Sequence, residues 1–240
     1  MSRIQRPLWG RSDLLFGGLL CLALAVPSAV QASPSTLLIE RVQRLEKAVQ
    51  VADNTAVLSL VAATPDNRGR EELLALIADY HAAGTLEYVM QERFGGVVPT
   101  KWSLRDARIE IDDLKFEPES NRFRLNLRIT LKEQDGPVHS RAVAGYMKLD
   151  DLRLVLPEGF LPVSKQESQL ITDLLQYRAK LLNKTVEQVT HGKFQSRAEV
   201  ARAIDADLKD SEPMRRFLAS SSIDAFTRAV VEALPKALQK

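Results

Sequence analysis

Apolar and polar positions alternate through the middle of the chain. Ala107, Ile109 and Ile111 are interleaved with Arg108, Glu110 and Asp112. Phe123, Leu125, Leu127, Ile129 and Leu131 then alternate with Arg122, Arg124, Asn126, Arg128, Thr130 and Lys132. Side chains on a strand point to opposite faces with period two, so each run predicts one oily face and one wet face. The first run slips phase at Asp112-Asp113, after which Leu114 and Phe116 hold the apolar positions. A one-residue slip flips the face unless the backbone absorbs it, so a bulge or bend is expected there. Pro118 to Asn121 and Gln134 to Pro137 have the composition of turns. Val143, Gly145, Met147 and Leu149 carry a third strand, which slips at Asp150-Asp151 into Leu152, Leu154 and Leu156. The echo of Ile111-Asp-Asp-Leu-Lys-Phe in Leu149-Asp-Asp-Leu-Arg-Leu predicts two strands bent at matching points. The expected result is a curved antiparallel sheet of about four strands within 104–156, connected as a meander.

The flanks read as helices. Leu38, Val42, Leu45, Val49 and Ala52 recur at spacings of four and three among charged residues, an amphipathic stripe. Asp53 is suited to cap a second piece through Val57, Leu58 and Val61, closed by Pro65. Leu73, Leu74, Ile77 and Tyr80 mark a third, with Gly84 suited to its left-handed end. Leu86, Val89, Met90 and Phe94 resume the helical spacing up to Gly95-Gly96. After the sheet, Ser164-Lys-Gln-Glu167 is a capping box. It opens a long stripe of Leu170, Ile171, Leu174, Leu175, Leu181, Leu182, Val186 and Val189, closed by Gly192. This helix, 164–191, is expected to lie on the oily sheet face. A second capping box at Ser196-Glu199 opens a helix through Leu208. A short turn of helix follows over Ser211 to Leu218, and a last helix carries Ile223, Phe226, Val230 and Leu234. The fold class is α+β, with a helical N-terminal segment 33–96 and an α+β domain 97–240 holding the sheet 102–156 and helices 164–235.

The first 32 residues change the picture of the rest. Arg3, Arg6 and Arg11 precede an apolar run from Leu14 to Val26, followed by Pro27 and Val30-Gln31-Ala32. That is the layout of a secretory signal peptide cut after about Ala32. The run is shorter than the roughly 18 residues a spanning helix needs, so no transmembrane span is expected in the mature chain. Cys21 sits in mid-run behind Leu20, which excludes a lipoprotein signal. Removing residues 1–32 takes away three Arg and one Asp and leaves 30 basic and 30 acidic side chains. A neutral chain has no global field to attract nucleic acid, and none is expected as a partner. The only cysteine leaves with the leader, so packing alone must hold the mature fold. A periplasmic location fits both facts.

Candidate chemistry is sparse. His81, His139 and His191 lie in no metal-binding spacing, so no metal and no cofactor is expected. There is no Gly-x-Ser-x-Gly elbow, and Ser220-Ser221-Ser222 reads as a loop with a helix cap, which leaves a hydrolase with a dispersed site as a remote alternative. Neighbours on a strand face opposite ways, so neither Asp112-Asp113 nor Asp150-Asp151 can work as a facing pair, and solvated acids relieving a bulge are the expectation. Arg122, Arg124, Arg128 and Lys132 form a basic row without interleaved aromatics, expected to meet acids on a neighbouring strand.

The bent strand at Ile109–Phe116, the Pro-Glu-Ser-Asn turn, the strand Arg122–Lys132, the return at Tyr146–Leu156 and the helix after Ser164 together resemble the TULIP (tubular lipid-binding) superfamily. The likeness is to its small bacterial periplasmic members of unknown function, and it covers residues 102–192. It implies an apolar tunnel between a curled sheet and a long helix that holds acyl chains. The leader departs from that family's usual lipoprotein signal, and the helices of 38–94 and after Ser196 are additions.

The expectation is therefore a non-enzymatic periplasmic protein that binds a lipid or other apolar molecule in a sheet–helix groove. The groove would be lined by Ile109, Ile111, Phe123, Leu125, Leu127, Ile129, Leu131, Met147, Leu170 and Leu174. The alternative is an adaptor or assembly factor that docks a partner protein through the Leu38–Ala52 helix and other amphipathic helices.

Overall fold

The computed structural model describes residues 33–96, 106–132, 138–161, 164–221, 223 and 228. The expected signal peptide, the Gln134–Pro137 turn and the helix through Leu234 lie outside the described residues. The chain from Ala32 to Lys240 is one compact unit.

Four antiparallel strands lie in chain order: β1 (Arg108–Glu117), β2 (Arg122–Lys132), β3 (Val138–Lys148) and the two-residue β4 (Leu154–Val155). The sheet is curved and unclosed, as the alternation predicts. Ile111 pairs with Leu127 and Asp113 with Asn126, so Asp112 is the extra residue of a bulge. The bulge keeps Leu114 and Phe116 on the same face as Ile109 and Ile111, opposite Leu125 and Phe123. The matching slip at Asp150-Asp151 is resolved differently, which corrects the expected second bend. There the chain turns back, with Leu152 at φ 49°, and Leu154 pairs with Met147. Asp112 remains inside a ladder with a strand on its inner side, whereas Asp150 follows the last paired residue of β3, so nothing holds the chain straight.

Six helices are described. Helix α1 (Pro34–Gln50) starts under a Ser33 cap, and α2 (Asn54–Leu60) under Asp53, whose carboxylate accepts the Ala56 N–H. Helix α3 (Arg68–Phe94) runs straight through Gly84 to Gly95, so Gly84 does not end it. The Ala82, Ala83 and Leu86 side chains are buried on either side of that glycine, and burial of the stripe carries the helix past it. Helix α4 (Lys165–Thr190) carries both halves of the expected capping box. At α5 (Arg197–Asp210) only one half forms: Ser196 accepts the Glu199 N–H, while Glu199 turns back to the Gln195 N–H. Helix α6 (Glu212–Ala219) completes the described set.

The long helices pair with each other. Glu72 meets Ser168, Asp79 meets Arg178, and Arg93 lies by Gly192, so α3 and α4 run parallel. A parallel pair needs a long return, and the whole meander supplies it. The seam on α3 is Glu72, Leu76, Asp79, Ala83, Leu86 and Met90; on α4 it is Ser168, Ile171, Leu175, Arg178, Leu182, Thr185 and Val189, all buried. α4 shares one apolar core with the sheet, as expected, and has α3 alongside it. Its nearest backbone neighbour is α3, and the helix that lies close along a strand is α1, against β1. Helices and strands from both sides of residue 97 join one apolar core.

Candidate functional site

Ile109, Phe123, Leu125, Leu127, Ile129, Met147 and Leu174 all belong to that core. A lumen wide enough for an acyl chain would leave its lining reachable by water. Leu125, Leu127, Ile129, Met147 and Leu174 are exposed by 1% or less, so the interior beside these five is filled. Leu170 is half-buried, and the Leu131 side chain lies outside what is described. The Leu38–Ala52 stripe is spent in the same way: Leu38, Val42, Leu45 and Val49 are buried in the chain's own core. That corrects the expected docking face of α1, because a side chain already desolvated at home has no burial left to offer a partner.

Among the described residues, the oily face opens along β1. Along β1, Ile109 is buried, Ile111 and Leu114 are half-buried, and Phe116 is 42% exposed. Phe116 rests against Phe123 with ring centroids 5.1 Å apart. β1 also stands at one end of the strand order, so one side of its backbone faces away from β2. Helix α1 closes only the start of that edge. Glu46 accepts the Ile109 N–H at 2.8 Å, and Gln50 donates to the Ala107 carbonyl at 2.9 Å. Further along, Asp113 accepts the Leu114 N–H with its own side chain, and no described residue beyond β2 bonds to residues 110–117 except Ser120 of the adjoining turn. The other margin of the sheet is occupied: Val61 bridges Leu154, and the buried Asn67 side chain donates to the Leu154 carbonyl and accepts the Leu156 N–H.

The wet face carries the expected basic row, and acids meet it. Arg122 contacts Glu117 at 2.8 Å, Arg124 reaches the same carboxylate at 3.9 Å, and Arg128 holds Asp112 at 3.1 Å. The hydrogen bond from Arg122 holds the Glu117 carboxyl below its usual range. Arg122 also stacks on Tyr146, whose hydroxyl donates to Asp66. Burial, then that bond, push the Tyr146 phenol up. These groups satisfy one another and leave no pair converging on an empty position where a reacting atom could sit.

Buried carboxylates are what the sequence reading missed. Glu72 is fully buried and accepts the backbone N–H groups of Phe160 (2.5 Å) and Leu161 (2.6 Å) together with the Ser168 hydroxyl. Burial pushes its carboxyl up, against those donors and Arg68 at 3.4 Å. Gly159, at φ 92°, passes so close that a Cβ there would stand 2.6 Å from Glu72. Asp79 takes a two-pronged bond from Arg178, with neither side chain more than 1% exposed. Burial raises the Asp79 carboxyl and the guanidinium opposes it. The signal was available: Glu72, Asp79 and Arg178 each fall on an apolar stripe. Perturbed carboxyls are candidates for chemistry, but here each is closed by its own partners and serves the fold.

His81 and His191 are exposed, and the His139 side chain lies outside what is described. Among the described residues, no group of His, Cys, Asp and Glu is placed to hold a metal ion. No described helix is long and apolar enough to cross a membrane. The chain matches no family model, no curated protein and no solved structure.

Proposed function

We propose that the protein works after export as a non-enzymatic adaptor or assembly factor, and that it docks a partner protein at the uncovered margin of β1. The observation that carries this is the gradient along one strand, from buried Ile109 to open Phe116, at the end of the strand order, where no described residue adds a further strand. Strand edges beside half-covered apolar side chains suit an added strand: the main chain supplies hydrogen bonds and alternate side chains find seats. Export is supported by the leader composition. A photoreactive residue in place of Phe116 tests the docking in cells. A discrete cross-linked partner at Phe116, with none at the more open Tyr88 of α3, is expected. Cross-links at Tyr88 but none at Phe116 would refute the docking site.

A lipid or other apolar molecule is the second reading, favoured by Ile111, Leu114 and Phe116 and by the TULIP resemblance. It would lie on the sheet margin rather than in a tunnel. Uptake of a fluorescent fatty acid that is lost in Phe116→Asp would place it first.

A further inference from the structure

The charges along the free edge specify what kind of strand it can take. Within Glu110 to Glu117 the wet side of β1 carries Glu110, Asp112, Asp113 and Glu117 against the single cation Lys115. The arginines of β2 already occupy Asp112 and Glu117. Glu110 and Asp113 are exposed, neither has an ion-pair partner among the described residues, and Asp113 only caps the Leu114 N–H. We propose, building on the docking site above, that the outer edge of β1 from Glu110 to Glu117 accepts an extended cationic segment of a partner protein. Its apolar side chains sit over Ile111, Leu114 and Phe116, and its Lys or Arg residues stand opposite Glu110 and Asp113.

The molecule already shows this chemistry on the inner side of the same strand. There β2 brings Arg-Phe-Arg-Leu-Asn-Leu-Arg-Ile, pairing Arg122 across from Glu117 and Arg128 across from Glu110. Cross-strand pairs of opposite charge stabilise a ladder, and like charges directly opposite destabilise it. The same rule puts a like-charge clash at the centre of a pairing with a second copy of the chain. A two-fold antiparallel pairing of β1 with its own copy, centred on the strand, would set Asp112 of each copy against Asp113 of the other at its middle. Bulges and charges on a free edge are the usual guard against self-pairing. Here the guard is mainly acidic, four carboxylates against Lys115, so it favours a cationic strand.

The test is fluorescence anisotropy of the mature protein with a labelled, end-blocked peptide of the sequence Arg122–Thr130, beside a version with its three arginines changed to Glu. The basic peptide is expected to bind and the acidic one not. Binding should weaken roughly tenfold in Glu110→Lys and fall as salt is raised. Glu110 is exposed, so this variant should keep the wild-type circular dichroism. A basic peptide N-methylated at alternate residues should lose binding, because it cannot extend the ladder. Equal binding of both peptides would overturn the charge requirement and leave the β1 docking site standing. No binding of either peptide, with the Phe116 cross-link retained, would overturn the cationic partner alone; loss of both would overturn the docking site too. A concentration-dependent dimer in sedimentation, abolished by Phe116→Lys, would replace the proposed partner with a second copy.

Discussion

Glu72 joins three pieces of chain that the sequence holds far apart: its own helix α3, the Phe160–Leu161 segment and Ser168 of α4. Truncating it strands two buried N–H groups and a hydroxyl. Glu72→Ala is therefore expected to lower unfolding stability by about 2–4 kcal/mol in urea titration. Its raised carboxyl also gives a pH signature of defined sign. The folded chain binds that proton more tightly than the unfolded chain, so this contribution to stability is complete below the ordinary glutamate range and declines as pH rises through the folded value. Urea midpoints measured from pH 4.5 upward should show a declining component in wild type that is absent from Glu72→Gln. The Asp79–Arg178 pair behaves differently. Asp79→Ala leaves a buried guanidinium without its carboxylate and should cost about 3–5 kcal/mol, whereas Asp79→Leu with Arg178→Met should recover most of it. A double variant as weak as the single one would show that the pair contributes more than mutual neutralisation.

Helix α3 shows how elements override local signals. Gly84 sits in its middle, exposed, with nothing within 4 Å of where a Cβ would be. Gly84→Ala is accordingly expected to raise stability by about 1 kcal/mol, read as an upward shift of the urea midpoint without change of slope. Sequence alone suggested an ending there because glycine favours helix ends; the buried stripe on both sides of it won. Much else at this scale was legible. The period-two run over Phe123–Ile129 fixed the strand, its faces and its neighbours, and Ser164 with Glu167 fixed the start of α4. Two things were not legible. The pairing of α3 with α4 depends on side chains 96 and 99 positions apart, and no local pattern carries that distance. The Asp-Asp repeat had identical local chemistry at both places, and only the presence of a ladder around one of them made it a bulge. The candidate site suffered in the same way. Alternation identifies an oily face, but whether that face is closed depends on helices from both ends of the chain.

At the scale of the whole molecule, the chain from residue 33 onward is neutral and without cysteine, and it relies on one core drawn from helices α1 to α6 and from the sheet. That core uses seven of the residues first expected to line a groove, Ile109, Phe123, Leu125, Leu127, Ile129, Met147 and Leu174, and the docking proposed above lies at its margin on β1. Native mass spectrometry of the protein, isolated from the exported fraction without detergent, tests this division most directly. A mass equal to that of the polypeptide from about residue 33 onward is expected, with no apolar adduct. A stoichiometric hydrophobic adduct that survives desalting and leaves only on unfolding would contradict a filled interior.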